Sequence, residues 1–484
     1  MTNAALNSET EHSSPNPSTR VTVGIIADDL TGAGDSAVQF AEAGWQASLA
    51  LTEPVAVNRG GVIAIVTDAR AQPFDAARIA TESAVATLSE AGVDRLFVKI
   101  DSTMRGSVDA QIRGALTAWS EVMAAAQGDA AQRPFAIVCP AYPGMGRTLQ
   151  VGRVLVNGVA VELTSIGRDP VTPVHTSLVS ALIPGSMNLA VGEDDAARVA
   201  ERITALVEAG IEIVTVDATT DAELTVLAEA AVLLGPAAIP VGSAGLAIAM
   251  STLWADGTEP VASDERPQAR HDADRILVVV SSLHDVSREQ YAHLVTFDLA
   301  ERVRTFAPNL IDLADEASTA AWLCAEFARS IDLPRVVVIL SPAERADLAE
   351  TDANPTTSIR VAAGLAELTA SVLGEAEISA LVLMGGEGAR AVLDRLGAEA
   401  IRVTGAIREG IPAGVIEGGL LDGLAVVTKA GGFGDRGTLA DLLPELLSQT
   451  GHANHVALPD LHAQPAPHPS HSTNPTNTSQ GAQS

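Results

Sequence analysis

The feature that most constrains this chain is a regular alternation of short β-branched runs with Ala- and Leu-rich stretches of helical length. Such alternation is typical of parallel sheets whose strands are joined by helical crossovers. It predicts an α/β fold in which each domain is a largely parallel sheet flanked by helices. The clearest strand candidates are 21–27, 61–66, 95–100, 135–139, 212–217, 276–281, 335–340, 380–384 and 424–429.

Length and local composition predict two domains. The chain has 484 residues, which exceeds what one hydrophobic core usually serves. The charged, proline-containing segment 255–274 interrupts the alternation and is interpreted as a linker. It separates a domain over 21–254 from a second domain over 275–447. The polar segments 1–20 and 448–484 have few residues to bury, so we expect both to be disordered tails.

Charge and composition exclude several classes of protein. The chain carries 30 Lys plus Arg against 60 Asp plus Glu, so we expect no nucleic-acid or membrane partner. The first twenty residues lack the apolar stretch of a secretory signal. The long uncharged run 230–255 contains prolines and glycines that fit a strand and turn inside a protein. With only two cysteines, a reduced, cytoplasmic location is expected.

Acidic residues follow the first strand candidate. In open α/β sheets, ligands bind just beyond the carboxyl ends of strands. The strand 21–27 runs directly into Asp28 and Asp29. Adjacent carboxylates at this position can accept a proton, order a hydroxyl or bind magnesium. A helix-capping Asp beside a solvated neighbour is the alternative interpretation.

A mixed cluster follows the strand 95–100. Two cations, one carboxylate and two hydroxyls lie within seven positions, as the capture of a small hydroxylated anion requires. Its members are Lys99, Asp101, Ser102, Thr103 and Arg105. Arg70, after the strand 61–66, and Arg147 are further candidates for this pocket, although a surface salt bridge is the more common role for each.

The two lysines of the chain stand out against its 28 arginines. Lys99 and Lys429 each lie at the end of a strand candidate. A compact ammonium on a flexible stem suits a point contact to a phosphate or hydroxyl better than a planar guanidinium does. We therefore interpret both lysines as functional.

Glycine-rich turns follow two strand candidates of the second domain. After 380–384, the glycines of GGEG open a helix, which is how backbone amides cradle a phosphate. After 424–429, further glycines follow Lys429, and Ser282 follows the strand 276–281. One such turn is explained by strand-to-helix geometry alone. Two in one small domain favour a nucleotide site.

The absence of other motifs narrows the chemistry. No GxxxxGK[ST] loop occurs, which excludes a P-loop kinase. The first strand meets ADDLTGAGD rather than GxGxxG, which argues against a nicotinamide-dependent sugar-acid dehydrogenase. That dehydrogenase and a non-catalytic sugar-acid sensor remain as alternatives to a kinase.

Several segments together resemble the four-carbon acid sugar kinases, the family of the D-threonate, D-erythronate and 3-oxo-tetronate kinases. The segments include IIADDLTGAGD (25–35), KIDSTMRG (99–106), GGEGARAVLDRLG (385–397) and TKAGGFGD (428–435). The resemblance spans about residues 21 to 445. It implies a sugar-acid-binding N-terminal domain, a nucleotide-binding C-terminal domain, and transfer of phosphate from ATP to the terminal hydroxyl of a four-carbon acid.

The resemblance also implies a role for each matching residue. Residues expected to face the sugar acid are Asp28, Asp29, Arg70, Lys99, Asp101, Ser102 and Arg105. Residues expected to face ATP are Ser282, Gly385, Gly386, Glu387, Gly388, Gly431, Gly432 and Gly434, with Lys429 assigned to the same site. Two positions depart from the family pattern: Gly388 stands where threonine is common, and Ser281 where glycine is common. The first departure removes a hydroxyl and puts nucleotide binding in question.

The expected mechanism divides the work among these side chains. Arg70 and Arg105 clamp the substrate carboxylate. Asp29, Lys99 and Asp101 are the predicted catalytic residues. The proton acceptor is one of Asp28, Asp29 and Asp101, and Lys99 orders the hydroxyl or screens the phosphoryl oxygens. Mg²⁺ is expected with ATP, bridging phosphate oxygens, and a homodimer is the default expectation for a metabolic enzyme.

Overall fold

The structure, a computed structural model, describes nine stretches of the chain. They are residues 21–52, 60–128, 132–169, 171–255, 275–296, 303–313, 315–328, 333–343 and 355–448. The predicted tails and linker lie outside these residues, apart from positions 255 and 448 at their edges.

Fifteen strands of the described residues form one continuous sheet, and three more form a small antiparallel sheet, β6-β7-β8. The strands are β1 (Val23–Ala27), β2 (Gln46–Ala50), β3 (Gly61–Val66), β4 (Arg95–Lys99), β5 (Phe135–Cys139), β6 (Arg147–Gln150), β7 (Arg153–Val156), β8 (Val159–Ala160), β9 (Met187–Ala190), β10 (Ile213–Asp217), β11 (Ala238–Gly242), β12 (Ile276–Val280), β13 (Val303–Phe306), β14 (Val336–Leu340), β15 (Ala380–Met384), β16 (Ala400–Arg408), β17 (Ile411–Glu417) and β18 (Ala425–Lys429).

Helices connect most of these strands. They are α1 (Leu30–Glu42), α2 (Phe74–Glu90), α3 (Val108–Gln127), α4 (Val179–Leu182), α5 (Ala196–Glu208), α6 (Asp221–Leu234), α7 (Ala244–Trp254), α8 (Asp285–Thr296), α9 (Glu316–Ala328), α10 (Pro355–Glu375), α11 (Gly386–Arg395) and α12 (Thr438–Ser448). None of these helices is both long and apolar enough to cross a bilayer.

The large sheet has two parallel halves joined by an antiparallel hairpin. Its order is β13-β14-β12-β15-β18-β17-β16-β2-β3-β1-β4-β11-β5-β10-β9. The hairpin β16–β17 pairs with β18 on one side and with β2 on the other, antiparallel in both cases. The predicted α/β class with two largely parallel sheets is confirmed. The added finding is that the two sheets continue into each other through β2 and β16.

Helices cover both faces of the sheet, so alternate residues of a strand enter different cores. Leu277 and Val279 of β12 belong to the core that includes Val392 of α11. Their neighbour Val278 belongs to a second core with Leu442 of α12. Strands buried on both faces have near-continuous apolar sequences, which explains why they were predictable from sequence.

All nine strand candidates are observed, with ends within two residues of the prediction. The run 230–255 contains β11 and α7, in agreement with a strand and turn inside the protein. The strands that sequence reasoning missed are β2, β6, β7, β8, β9, β13, β16 and β17. Most are short or partly exposed, and β16 and β17 carry glycines and a proline, so they lack a continuous apolar run.

Helix α1 packs across the junction of the two halves. Small residues on this helix permit the approach: a Cβ added at Gly34 would lie 3.1 Å from Pro412 Cγ and 3.4 Å from Thr428 Oγ1. Further along, Glu42 Oε1 accepts a hydrogen bond of 2.8 Å from the backbone N–H of Ala406 in β16. Although α1 belongs to the N-terminal half, its first turns therefore lie beside the C-terminal half.

Candidate active site at the junction of the two halves

The carboxyl ends of β3, β1 and β4 lie side by side. Ala27, the last residue of β1, pairs with Val66 of β3 and with Lys99 of β4. The residues that follow these strands therefore meet at one edge. This edge contains every residue that the sequence assigned to the sugar acid: Asp28, Asp29, Arg70, Lys99, Asp101, Ser102 and Arg105.

Arg70 binds the two adjacent aspartates after β1. Its Nε and Nη2 donate hydrogen bonds of 2.8 Å each to the carboxylate of Asp28, and its Nη1 donates one of 2.7 Å to Asp29 Oδ2. Asp28 is fully buried. Burial raises the pKa of Asp28, and Arg70 opposes the shift. The ion pairs hold the guanidinium plane of Arg70 in one orientation.

Asp101 and Arg105 form a second ion pair in the loop that follows β4. Arg105 Nη2 donates to Asp101 Oδ2 at 2.7 Å, and Nε donates to Oδ1 at 3.2 Å. Thr103 donates to the same carboxylate from its backbone N–H and its hydroxyl. Burial alone would raise the pKa of Asp101, but Arg105 and Arg70 hold this pKa well below its usual range. Asp169, which sequence reasoning did not identify, lies 3.3 Å from Arg105 Nη1.

Asp29 and Lys99 lie at the N-terminus of α1. Asp29 caps the helix and accepts hydrogen bonds from the backbone N–H of Gly32 and from the hydroxyl of Thr31, both at 2.8 Å. A Cβ added at Gly32 would lie 2.8 Å from Lys99 Nζ. Burial would raise the pKa of Asp29, but Arg70 and Lys99 outweigh it and lower this pKa. An ammonium beside a helix N-terminus makes a positive site that suits an anion.

Ser102 and Arg147 lie near the same cluster. Ser102 is half-buried in the loop that follows β4. Arg147 begins β6, and its Nη1 donates to the carbonyl of Met145. Burial lowers the pKa of Arg147, and Asp101 opposes the shift, which indicates that the two charges are close. The structure therefore places Arg147 within electrostatic reach of Asp101 and Arg105.

Asp35 is a buried carboxylate of α1 that sequence reasoning missed. The side chain is 8% exposed, and its Oδ1 accepts no hydrogen bond from any described residue. Burial raises the pKa of Asp35 to about 6, with Lys99 opposing the shift. The sequence feature that could have identified Asp35 is its position among small residues of the helix, since it lies between Ala33, Gly34 and Ala37.

The carboxyl ends of β12, β15 and β18 form a second edge in the C-terminal half. Met384, the last residue of β15, pairs with Val280 of β12 and with Lys429 of β18. The residues predicted to face ATP therefore lie together: Ser282, Gly385, Gly386, Glu387, Gly388, Lys429, Gly431, Gly432 and Gly434. Gly385 caps α11 with φ +109, a conformation that favours glycine.

Side chains from α8 hold the second glycine turn. Ser287 donates to the carbonyl of Gly431 at 2.7 Å, and Gln290 donates to the carbonyls of Phe433 and Asp435 at 3.0 and 2.7 Å. Sequence reasoning missed these two supports. Their signal was the polar sequence SREQ at 287–290, in the helix that follows Ser282.

Lys429 and Glu387 differ in their accessibility. Lys429 is fully buried, and its Nζ donates to the carbonyl of Ala430 at 3.0 Å. Burial lowers the pKa of Lys429 to about 8. Glu387 is exposed in the first turn of α11 and accepts a hydrogen bond of 3.1 Å from Ser358 of α10.

The two departures from the family pattern are in contact. A Cβ added at Gly388 would lie 2.2 Å from Ser281 Cβ and 2.3 Å from Ser281 Oγ. The Ser281 side chain therefore occupies the space that a threonine at 388 would need. Ser281 Oγ donates to the carbonyl of Met384 at 2.9 Å, at the start of the glycine turn. A hydroxyl remains at this point, supplied by the neighbouring strand.

The two edges face each other. A Cβ added at Gly386 would lie 3.8 Å from Thr31 Oγ1 and 3.9 Å from Asp29 Oδ2. The N-termini of α1 and α11 therefore meet. A second bridge joins the halves where the Tyr142 hydroxyl donates to Glu409 Oε1 at 2.9 Å, in the turn between β16 and β17.

The described residues offer no cluster of three His, Cys, Asp or Glu side chains placed to hold a metal ion. The aspartates of the N-terminal edge are instead bound by arginines. Mg²⁺ can be bound through substrate phosphates with only one or two protein carboxylates.

Family models match both halves of the chain. Residues 23–250 match a sugar-binding N-terminal domain, and residues 277–439 match a nucleotide-binding C-terminal domain. Two solved structures share the fold at low sequence identity. A protein of Salmonella typhimurium aligns with a TM-score of 0.69 and 20% identity, covering 88% of this chain and 99% of the other. A protein of Haemophilus influenzae aligns with a TM-score of 0.63 and 21% identity over the same shares.

Whole-length relatives are kinases of four-carbon acids. A D-threonate kinase of Bordetella bronchiseptica is 39% identical over 424 residues, which cover 86% of this chain and 95% of the relative. A D-threonate kinase of Salmonella typhimurium is 32% identical, with 87% and 97% covered. A D-erythronate kinase of Heliobacterium modesticaldum is 28% identical, with 90% and 99% covered. Identity at this level over nearly the whole length means that the chain belongs to the four-carbon acid sugar kinase family.

Proposed function

We propose that this chain transfers the γ-phosphate of ATP to the terminal hydroxyl of a four-carbon sugar acid. One observation carries the proposal: Gly386, at the start of α11, lies against Thr31 and Asp29 at the start of α1. A glycine turn suited to phosphate thus faces an edge suited to a hydroxylated anion. Phosphoryl transfer requires that the two reactants be held in line at such a junction.

The sugar acid binds at the edge formed by β3, β1 and β4. A guanidinium has five N–H donors. Arg70 donates three of its N–H groups to Asp28 and Asp29, and Arg105 donates three to Asp101 and Asp169. The remaining N–H groups of both arginines bind the substrate carboxylate in a fixed orientation. Ser102 and the Lys99 ammonium bind the substrate hydroxyls.

The nucleotide binds at the edge formed by β12, β15 and β18. Backbone N–H groups at the start of α11 bind phosphate oxygens, and the helix dipole adds to the attraction. Ser282 and the second glycine turn lie on the neighbouring strands and complete this site. Lys429 stabilises the turn through the carbonyl of Ala430. Mg²⁺ neutralises the phosphate charge when it is bound with ATP.

Catalysis by the chain's own residues rests on Asp29, Lys99 and Asp101. Lys99, beside the N-terminus of α1, stabilises negative charge that spreads over the transferred group. Asp29 and Asp101 hold Arg70 and Arg105 in place. When the sugar acid and ATP fill this junction they exclude water, which limits hydrolysis of ATP in place of transfer to the sugar acid. A cytoplasmic location and a homodimer stay predictions.

Product detection with a panel of four-carbon acids tests the proposal. The purified full chain is mixed with ATP and Mg²⁺ and with D-threonate, D-erythronate or a 3-oxo-tetronate, and phosphate esters are identified by mass spectrometry. We expect ADP and a monophosphorylated acid in equal amounts from at least one substrate. Tight binding of a sugar acid without ADP formation would instead indicate a sensor.

A further inference from the structure

Asp35 is an ionisable group in the first turns of α1 whose state the proposed function leaves unexplained. Its side chain is more than nine-tenths buried, and its Oδ1 has no hydrogen-bond donor among the described residues. An unpaired carboxylate inside a protein costs stability, so its presence calls for a reason. We infer that Asp35 is the general base that accepts the proton of the substrate hydroxyl, an inference that rests on the proposed kinase function.

The three aspartates expected from the sequence to act as base are already engaged. Both oxygens of Asp28 accept hydrogen bonds from Arg70. Both oxygens of Asp29 accept hydrogen bonds, one of them from Arg70, and both oxygens of Asp101 accept hydrogen bonds from Arg105. A proton on any of these carboxylates would disrupt the ion pairs that orient the arginines. Arginine pairing also lowers the pKa of Asp29 and of Asp101, which makes these two carboxylates weaker bases, whereas burial raises the pKa of Asp28 against the effect of Arg70.

Asp35 lies on the side of α1 that faces the Lys99 ammonium. Residues three apart share one helix face, so Asp35 lies one turn further along the face of Gly32. A Cβ added at Gly32 would lie 2.8 Å from Lys99 Nζ. The charged and titratable groups around Asp35 are Lys99 after β4, Asp29 at the helix cap, Tyr142 after β5 and Glu409 in the β16–β17 turn.

The pKa of Asp35 is consistent with a general base. Burial raises this pKa to about 6, with Lys99 opposing and Asp29 and Glu409 adding to the rise. At neutral pH the group is still a carboxylate and can take a proton. A general base is most effective when its pKa lies near the working pH, and the paired aspartates at positions 29 and 101 have pKa values below the ordinary range.

The proposed step balances in atoms and charge. The proton of the substrate hydroxyl passes to the Asp35 carboxylate while the hydroxyl oxygen forms a bond to the γ-phosphorus. The bond from that phosphorus to the β–γ bridging oxygen breaks, and its electron pair leaves with ADP. Asp35 returns its proton to solvent after the products leave.

The test compares full-length Asp35→Asn with wild type and with Asp195→Asn. Asp195 caps α5 on the surface of the N-terminal half, so its variant controls for the loss of one carboxylate. We expect kcat of Asp35→Asn to fall at least about a hundredfold. Calorimetric Kd values for the sugar acid and for ATP with Mg²⁺ should stay within about threefold of wild type. The acid limb of the wild-type kcat/KM profile should be absent from the variant's residual activity.

Three results would overturn the inference. Near wild-type kcat in Asp35→Asn would show that another group takes the proton and would leave the kinase proposal intact. A loss of sugar-acid affinity equal to the loss of kcat/KM would assign Asp35 to binding. A wild-type enzyme that phosphorylates no four-carbon acid would remove the kinase proposal, and the role of Asp35 with it. A melting temperature for Asp35→Asn at or above that of wild type confirms that the variant is folded.

Discussion

At the scale of single residues, the site separates charges that are paired from charges that are not. Arg70 and Arg105 are fixed by aspartates, whereas Asp35, in α1, and Lys99, beside the first turn of α1, form no ion pair with a described residue. Paired groups in a buried site hold a geometry, and removal of one partner leaves an uncompensated charge. The unpaired groups can change their protonation or their contacts during the reaction without breaking an ion pair.

Loss of the Lys99 ammonium should reduce turnover without unfolding the protein. Lys99→Ala is expected to lower sugar-acid-dependent ADP formation by at least about a hundredfold, because a positioned catalytic group is lost. The matched control is Arg198→Ala, which removes an exposed cation paired with Glu201 on α5. Steady-state kinetics on both variants provide the measurement. Wild-type turnover in Lys99→Ala would remove this lysine from the mechanism.

The unpaired carboxylate also predicts a pH-dependent stability. The pKa of Asp35 is about 6 in the folded protein against 3.8 for an ordinary aspartate. Between pH 4 and pH 6 Asp35 loses its proton in the unfolded chain but keeps it in the folded chain. The free energy of unfolding therefore falls progressively as the pH rises from about 4 to about 6, and the loss persists above pH 6.

Replacement by asparagine removes this penalty. Asp35→Asn should therefore raise the free energy of unfolding at pH 8 by about 3 kcal/mol, and the melting temperature with it, and have little effect at pH 4. Thermal melts of the variant, wild type and Asp195→Asn at both pH values give the comparison. An equal gain in melting temperature at pH 4 and pH 8 would contradict the claim that the Asp35 carboxylate is ionised and unpaired in the folded protein at pH 8.

At the scale of secondary-structure elements, the end of β12 and the first turn of α11 leave room between them for only one hydroxyl side chain. Ser281, just after β12, fills the space beside Gly388 in α11. This contact could not be predicted from sequence, because the two positions are more than a hundred residues apart and each departure looks independent. In the structure the Ser281 side chain fills the space beside Gly388, so the two departures are in contact.

A double-mutant cycle tests whether this contact couples the two positions. Gly388→Thr alone should weaken ATP binding, because its Cβ would overlap Ser281 and displace the turn. Ser281→Gly together with Gly388→Thr should restore ATP binding to near wild type, since the space is again shared by one side chain. Calorimetric titration of all four proteins with ATP and Mg²⁺ gives the coupling. Additive effects would mean that the two positions act separately.

The elements also show where prediction from sequence succeeds. Strands such as β12 and β15 are apolar throughout because both faces are covered, and strand-end reasoning then located Asp28, Lys99 and Gly385. The hairpin β16–β17 was missed because part of it is exposed. Asp35 was missed for a different reason: a lack of hydrogen-bond partners is a property of the folded surroundings and is invisible in a motif.

At the scale of the whole molecule, the continuous sheet explains how one site draws on both halves. The pairing of β2 with β16 fixes the two parallel halves side by side, and α1 packs against both. As a result the sugar-acid edge and the glycine turns meet at the N-termini of α1 and α11. The Tyr142–Glu409 hydrogen bond is a further link between the halves.

The most direct test of this account is a crystal structure of the full chain with a sugar acid, Mg²⁺ and a non-hydrolysable ATP analogue. We predict the acid at Arg70, Arg105 and Lys99, with its terminal hydroxyl oxygen about 3–3.5 Å from the γ-phosphorus and the triphosphate at the start of α11. Ligands bound at separate places, with the hydroxyl unable to reach the γ-phosphate, would contradict it.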